Sequence, residues 1–240
     1  MASKPNAPIQ RSLAGIQAAP DDDDVKGYTF APRTPQDAHM KYDALPFSPA
    51  CERNKGPILA HLQTAFANAA SVLEIGSGTG QHAVHFSQHL TQLAWQPSDC
   101  REWLPGLRAR IDLEGPANLR APFELAVAEQ PWRGGAFDAI FSANTLHIMS
   151  WADVEWLFRG VGHTLNLGGA LAVYGPFKYA GSFTSASNAE FDADLRRRDP
   201  QSGVRDFETV NRLAAGVGLA LEGDYRMPAN NQLLIWRRSH

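Results

Sequence analysis

Between residues 54 and 237 the apolar positions change spacing repeatedly, from one helical face to short continuous runs and back. Residues 54–70 set Ile58, Leu62, Ala65 and Phe66 on one face of a helix. The run Ser71–Ile75 then reads as a buried strand, and His82–His89 reads as the helix after it. Further strands are predicted at Leu93–Gln96, Phe123–Val127, Phe137–Ser142 and Ala170–Tyr174, the last one following a Gly168-Gly169 turn. Residues 206–217 return to helical spacing, and Leu219–Arg226 and Gln232–Arg237 form two strands joined around Met227-Pro-Ala-Asn-Asn231. Helix and strand in alternation predict an α/β fold, a mostly parallel seven-stranded sheet with helices on both faces and an antiparallel last strand. No internal repeat interrupts this plan.

Residues 1–45 do not share the pattern. Pro5, Pro8, Pro20, Pro32 and Pro35 recur there, and Asp21–Asp24 are four like charges in a row. Such a stretch is expected to be an extended or partly disordered arm, a solvated tail over 1–25 with Tyr28–Tyr42 packing on the body. The remainder, 46–240, has the size of one domain. An apolar fraction of 44% and a net charge of −3 describe an ordinary globular chain without the field that draws in nucleic acid or an anionic membrane. A small-molecule partner is therefore expected. Cys51 and Cys100 belong to no Cys-x-x-Cys pair, which argues against a disulfide framework or a zinc site and suits a reducing cytoplasm. No run of eighteen apolar residues and no signal sequence is present, so export and membrane spanning are not expected. His82, His85 and His89 have helical spacing, but no Glu joins them in a zinc arrangement, and no metal is expected.

The densest chemistry lies at Glu74-Ile-Gly76-Ser77-Gly78-Thr79-Gly80, an acidic strand end running into alternating glycines. Glycine lets the backbone take positive φ and approach a ligand where a side chain would fill the space. A dinucleotide fingerprint would place its third glycine at position 81, where this chain has Gln81, and a P-loop would follow the glycines with Lys-Ser or Lys-Thr rather than Gln81-His82. The spacing resembles the first motif of class I S-adenosylmethionine-dependent methyltransferases, a Rossmann-like fold whose loop cradles the amino acid end of that cofactor. The resemblance makes Glu74, Gly76, Ser77, Gly78, Thr79 and Gly80 candidate cofactor residues. His82 sits on the helix whose free N–H groups face the cofactor carboxylate. Asp99, nineteen residues past Gly80, is placed to accept hydrogen bonds from both ribose hydroxyls. The adenine contact near Ala126 and Glu129 stays unassigned. Asn144 is a candidate for holding the cofactor's amino acid part.

A closer resemblance rests on several blocks in one order. These are Ser48-Pro-Ala-Cys-Glu-Arg-Asn-Lys-Gly-Pro-Ile58, the glycine loop through His82, Trp95-Gln-Pro-Ser-Asp99, Ala143-Asn-Thr-Leu-His-Ile148, Tyr174-Gly-Pro-Phe-Lys178, Ser187-Asn-Ala-Glu-Phe-Asp192 and Met227-Pro-Ala-Asn-Asn231. Over roughly 46–238 the chain resembles the methyltransferase-like 26 proteins, a domain of unknown function numbered 938. It departs from them in carrying Ala126 where an Asp is usual, and in its acidic N-terminal extension.

The resemblance implies S-adenosylmethionine binding and methyl transfer to a small acceptor, with a non-catalytic cofactor-binding module as the alternative. His147 is a candidate base, its unperturbed pKa lying near neutrality, or equally a residue that shapes the pocket. Tyr174 and Lys178 leave a strand at its carboxyl end, where a hydroxyl and an ammonium can orient an anionic or carbonyl-bearing group. Residues 181–206 read as a lid-like polar insertion. In it Asn188, Asp192, Arg196 and Arg205 are candidates for substrate binding, against a structural role in local ion pairs. Arg53 and Asn54 either close over the cofactor or fix the entry of the first helix, Asn54 as its N-cap.

Overall fold

The computed structural model describes residues 45–239. All of the expected arm except Leu45 lies outside the described residues. Helix α1 (Pro49–Ala65) starts well before position 54, because Ser48 caps it by accepting from Cys51 N and Pro49 supplies the fixed φ of a first turn. Asn54 is thus not a cap. It lies within the helix and is buried.

The chain continues through β1 (Ser71–Ile75), α2 (Gln81–His89), β2 (Ala94–Asp99), α3 (Leu104–Glu114), β3 (Phe123–Glu124), β4 (Phe137–Ala143), α4 (Trp151–Thr164) and β5 (Leu165–Gly175). A short excursion follows: β6 (Phe177–Tyr179), β7 (Ser182–Phe183), α5 (Ala186–Arg198) and β8 (Arg205–Asp206). Helix α6 (Phe207–Gly216) then leads into β9 (Leu219–Met227) and β10 (Asn231–Arg238). The main sheet has the order β3-β2-β1-β4-β5-β10-β9, and β6, β7 and β8 form a second, three-stranded sheet. Strands β1 to β5 pair in parallel, while β10 runs antiparallel between β5 and β9. The last strand is therefore antiparallel, as its sequence position predicts.

Two differences have plain causes. Strand β2 extends through Pro97 to Asp99, a length the proline argues against. It is tolerated because β3 pairs only with Ser98 and Asp99, leaving Pro97 opposite no strand on that side. Helix α4 was not expected, yet its start carries a capping box: Ser150 Oγ accepts from Asp153 N, and the Asp153 carboxylate accepts from Ser150 N.

Alternate strand residues face opposite layers. Leu73, Ile75, Ile140, Leu171, Val173 and Trp236 pack with α4 and α6, through Val154, Leu157, Phe158 and Val210. Val72, Phe141, Ala172, Leu233 and Ile235 pack with α1 and α2, through Ile58, Leu62, Phe66 and Phe86. Burying each of these large side chains contributes roughly 1.5–3 kcal/mol, enough to hold the strand ends in register. The strand order reverses around β1, so a crevice opens at the carboxyl ends of β1 and β4, where open α/β sheets bind ligands.

Candidate active site

The glycine loop leaves β1 in that crevice. Gly76, Gly78 and Gly80 have φ of 74°, 53° and 77°, a conformation that L side chains rarely adopt. Gly80 is needed for packing as well, since a Cβ there would stand 2.8 Å from Leu107 Cδ1 on α3. Gly76 N and Ser77 N both donate to Ser98 O at 3.0 Å, which ties the loop to the end of β2. Gly78 N donates to Asp99 Oδ2 at 2.6 Å, and Cys100 N donates to Oδ1 at 2.7 Å. Burial pushes the Asp99 carboxyl up to about 7 against these two hydrogen bonds. Glu74 is equally buried, also pushed up to about 7, and accepts from Trp95 Nε1 at 2.8 Å.

Helix α1 is clasped to this loop. Gln81 Oε1 accepts from Ser48 N at 2.6 Å and from Thr79 Oγ1 at 3.0 Å, while its Nε2 donates to Glu52 Oε1 at 2.7 Å. Arg110 Nε donates to Thr79 O at 2.6 Å, and a second guanidinium nitrogen donates to Pro46 O at 2.7 Å. Gln81 and Arg110 thus hold the loop from outside its glycine motif. The signal for Gln81 was its position where a dinucleotide fold has glycine. His82 does not project into a cofactor crevice but turns toward α1, its Nε2 lying 2.6 Å from Asn54 Oδ1 and its Nδ1 3.9 Å from Cys51 Sγ. Burial lowers its pKa to about 4, so the ring is neutral at pH 7, and the Asn54 oxygen selects the tautomer with hydrogen on Nε2.

A cavity of about 120 Å³ lies between α1 and the ends of β4 and β5. Arg53 and Asn54 of α1, Asn144 after β4, Tyr174 of β5 and Asn231 at the start of β10 line it. The structure thus brings four candidates from separate parts of the sequence together. Asn144 has a φ of 57° and donates its N–H to Tyr174 O at 2.8 Å, a kink that turns the chain away from the sheet. The Tyr174 hydroxyl lies among the Asn54 and Asn231 amides, and burial raises its pKa to about 12. It stays protonated, able to donate but not to act as a base at neutral pH. Asn231 was not singled out as a site residue, although the block containing it was.

The other candidates fall elsewhere. His147 sits in a turn rather than on a helix, 2% exposed, with its ring edge-on to Phe191 and its Nε2 without a hydrogen-bond partner. Burial, with help from the Arg205 charge, lowers its pKa to about 3. Lys178 belongs to the second sheet, its ammonium 5.3 Å from the Phe183 ring centre, and it does not line the cavity. Asn188 Nδ2 donates to Thr184 Oγ1 and to Asn230 O, both at 2.9 Å, and so pins the β9–β10 turn to α5. Asp192 pairs with Arg196 at 2.7 Å and accepts from Val204 N at 2.7 Å. Arg205 is buried beneath the 144–149 turn and donates to the carbonyls of Leu146 (2.9 Å), Met149 and Gln201 (3.0 Å). None of these four lines the cavity.

A second cavity of about 170 Å³ opens where β3 ends, between Ala126, Glu129, Trp132 and Arg133. Among the described residues no group of three or more His, Cys, Asp or Glu could hold a metal ion.

The sheet order, the antiparallel β10 and the glycine loop beside Asp99 define the Rossmann-like fold of class I methyltransferases. It is shared with an O-methyltransferase family protein from Burkholderia thailandensis (TM-score 0.70, 21% identity, 79% of this chain and 57% of that one). Human N-acetylserotonin methyltransferase in complex with SAM also matches (TM-score 0.68, 14% identity, 79% and 53%), as does a mitomycin 7-O-methyltransferase (TM-score 0.68, 18% identity, 79% and 54%). The chain spans only slightly more than half the length of these proteins. The family described as "Protein of unknown function (DUF938)" matches residues 45–238, and the chain belongs to it.

Proposed function

We propose that this protein is an S-adenosylmethionine-dependent methyltransferase acting on a small acceptor in the cytoplasm, of the methyltransferase-like 26 type. The observation that carries the reading is the junction of Gly78 and Asp99. Three positive-φ glycines leave the first strand, and a buried carboxylate at the end of the second is fastened to the loop between them. Those residues fit the cofactor. An ionised carboxylate has about four lone-pair positions and Asp99 spends two on backbone N–H groups; the two that remain are proposed for the hydroxyls of a ribose, which reach this fully buried side chain only once the loop shifts. The cavity at the end of β3 lies on the side where the nucleoside base would extend, and Ala126 offers it backbone rather than a carboxylate. The uncapped start of α2 offers N–H groups to an amino acid carboxylate.

S-Adenosylmethionine, when bound, supplies a methyl group on a positively charged sulfur. The chain's part is placement and exclusion of water. Tyr174 orients the acceptor over the ends of β4 and β5, and Asn144, expected from the sequence to hold the cofactor's amino acid part, is assigned here to the same cavity wall. The residues of 181–206 act as a lid indirectly, Asn188 holding the β9–β10 turn across the cavity. Proton abstraction by His147 is disfavoured by its low pKa and sealed position, so it acts as a wall behind β5. The arm is proposed to lie outside the catalytic domain.

The second reading, a module that binds the cofactor without turnover, draws on the lack, among the described residues, of a basic side chain at the cavity apart from Arg53. Calorimetry with S-adenosylmethionine, its demethylated product and NAD tests the first step. Micromolar binding of the first two and none of NAD supports the reading, and the absence of both sinks it. Cofactor turnover with a cell extract then separates enzyme from module.

A further inference from the structure

We infer that the cavity between α1 and the β9–β10 turn receives a small carboxylate that also carries a hydroxyl or amine hydrogen. This rests on the methyltransferase reading and adds the chemistry of the acceptor.

The first observation is at Asn231. Its Nδ2 donates to Pro228 O and Ala229 O, both at 3.2 Å, so the amide cannot be turned round without setting two pairs of oxygens against each other. The atom left over is Oδ1, which is buried and has no hydrogen-bond partner in a residue that is 2% exposed. Buried acceptors without donors are rare and costly, and they mark places where a ligand or water completes the set. Asn231 lines the cavity, and the inferred occupant supplies the hydrogen that this oxygen lacks.

The second observation is at Arg53, on the α1 wall. Its guanidinium has no carboxylate within ion-pair distance among the described residues, whereas its neighbour Glu52 is held by Lys55 at 2.5 Å and by Gln81. Asn54, Asn144 and Tyr174 complete the wall with neutral groups, so among the described residues lining the cavity the only formal charge is positive. An anionic group on the ligand answers that charge, and a carboxylate matches the planar guanidinium with two parallel hydrogen bonds.

Size narrows the class. A volume of about 120 Å³ is well below the ~300–1,000 Å³ of pockets that enclose drug-sized ligands. A short aliphatic acid is of a size with this space.

The test uses the purified full-length protein saturated with S-adenosylhomocysteine, titrated calorimetrically with 3-hydroxybutyrate, its neutral amide, and butyrate. The hydroxy acid is expected to bind at least about tenfold more tightly than either relative, one comparison reading the carboxylate and the other the hydroxyl. Arg53→Gln, a change on an exposed side chain, is expected to erase the acid-over-amide preference and keep the hydroxyl preference. Asn231→Leu is expected to do the reverse, with circular dichroism confirming its fold. If S-adenosylhomocysteine binds but the amide or butyrate binds as well as the hydroxy acid, or none of the three binds, the substrate class falls and the methyltransferase reading stands. If S-adenosylhomocysteine itself does not bind, both fall.

Discussion

The Asp99 carboxylate and the Gly78 main-chain N–H meet at 2.6 Å, joining the end of β2 to the middle of the glycine loop. That contact positions the loop and keeps the carboxylate oriented before any ligand arrives. Asp99→Asn keeps the size but loses half the acceptor capacity. It is expected to weaken S-adenosylhomocysteine binding by about tenfold to a hundredfold, or about 1.4–2.7 kcal/mol, in a calorimetric titration. Affinity equal to wild type would remove Asp99 from the cofactor site.

The same carboxylate links binding to pH. Its pKa of about 7 in the protein alone is raised by burial, and hydroxyl donors from a ligand favour the ionised form. Binding should therefore release a proton below pH 7, and affinity should rise between pH 6 and 8. Titrations in buffers of different ionisation enthalpy measure that proton directly. Glu74, which also sits near 7, is controlled by repeating the experiment with Glu74→Gln.

Stability carries the opposite slope. A carboxyl raised from 3.8 to about 7 binds its proton more tightly folded than unfolded. Its contribution is fully present below about pH 3.8 and is lost as pH rises through 7. Relative to Asp99→Asn, wild type should lose up to about 1.4 kcal/mol per pH unit across that window in urea unfolding. Parallel pH profiles for the two proteins would contradict the buried, hydrogen-bonded carboxyl described above.

His147 should not titrate between pH 5 and 8, because burial and Arg205 hold its pKa near 3. Its ring proton resonances, assigned by comparison with His147→Gln, are expected to stay fixed over that range in an NMR titration. A midpoint near 6.5 would restore the histidine as a candidate base.

Arg205 and Gly80 are expected to matter for stability. Arg205→Met leaves the carbonyls of Leu146, Met149 and Gln201 without their donor and should cost about 2–4 kcal/mol in urea unfolding. Gly80→Ala meets both a φ of 77° and Leu107 Cδ1 at 2.8 Å, and should cost about 2 kcal/mol. A cost below about 0.5 kcal/mol for either would refute the packing on which it is based.

What the sequence disclosed was what is local along it. The glycine spacing and Asp99 lie within one strand-loop-helix-strand unit, and the structure brings them together through the Gly78 contact. Alternation of period was enough for the sheet, since each strand's apolar run is bounded by turn residues. The cavity was not legible as a unit, because Arg53, Asn144, Tyr174 and Asn231 come from four elements and no periodicity relates them. Ser48 as the cap of α1 was hidden by a helical pattern that becomes amphipathic only at Ile58. Arg205 looked like one more surface charge in a polar insertion, and only tertiary packing places it under the 144–149 turn.

The Gln81 side chain, shared between Ser48, Glu52 and Thr79, makes the start of α1 and the glycine loop a single mechanical part. Arg53 follows Glu52 on that helix and lines the cavity at the ends of β4 and β5. Loss of that one amide, in Gln81→Ala, is therefore expected to loosen the glycine loop and the start of the helix together.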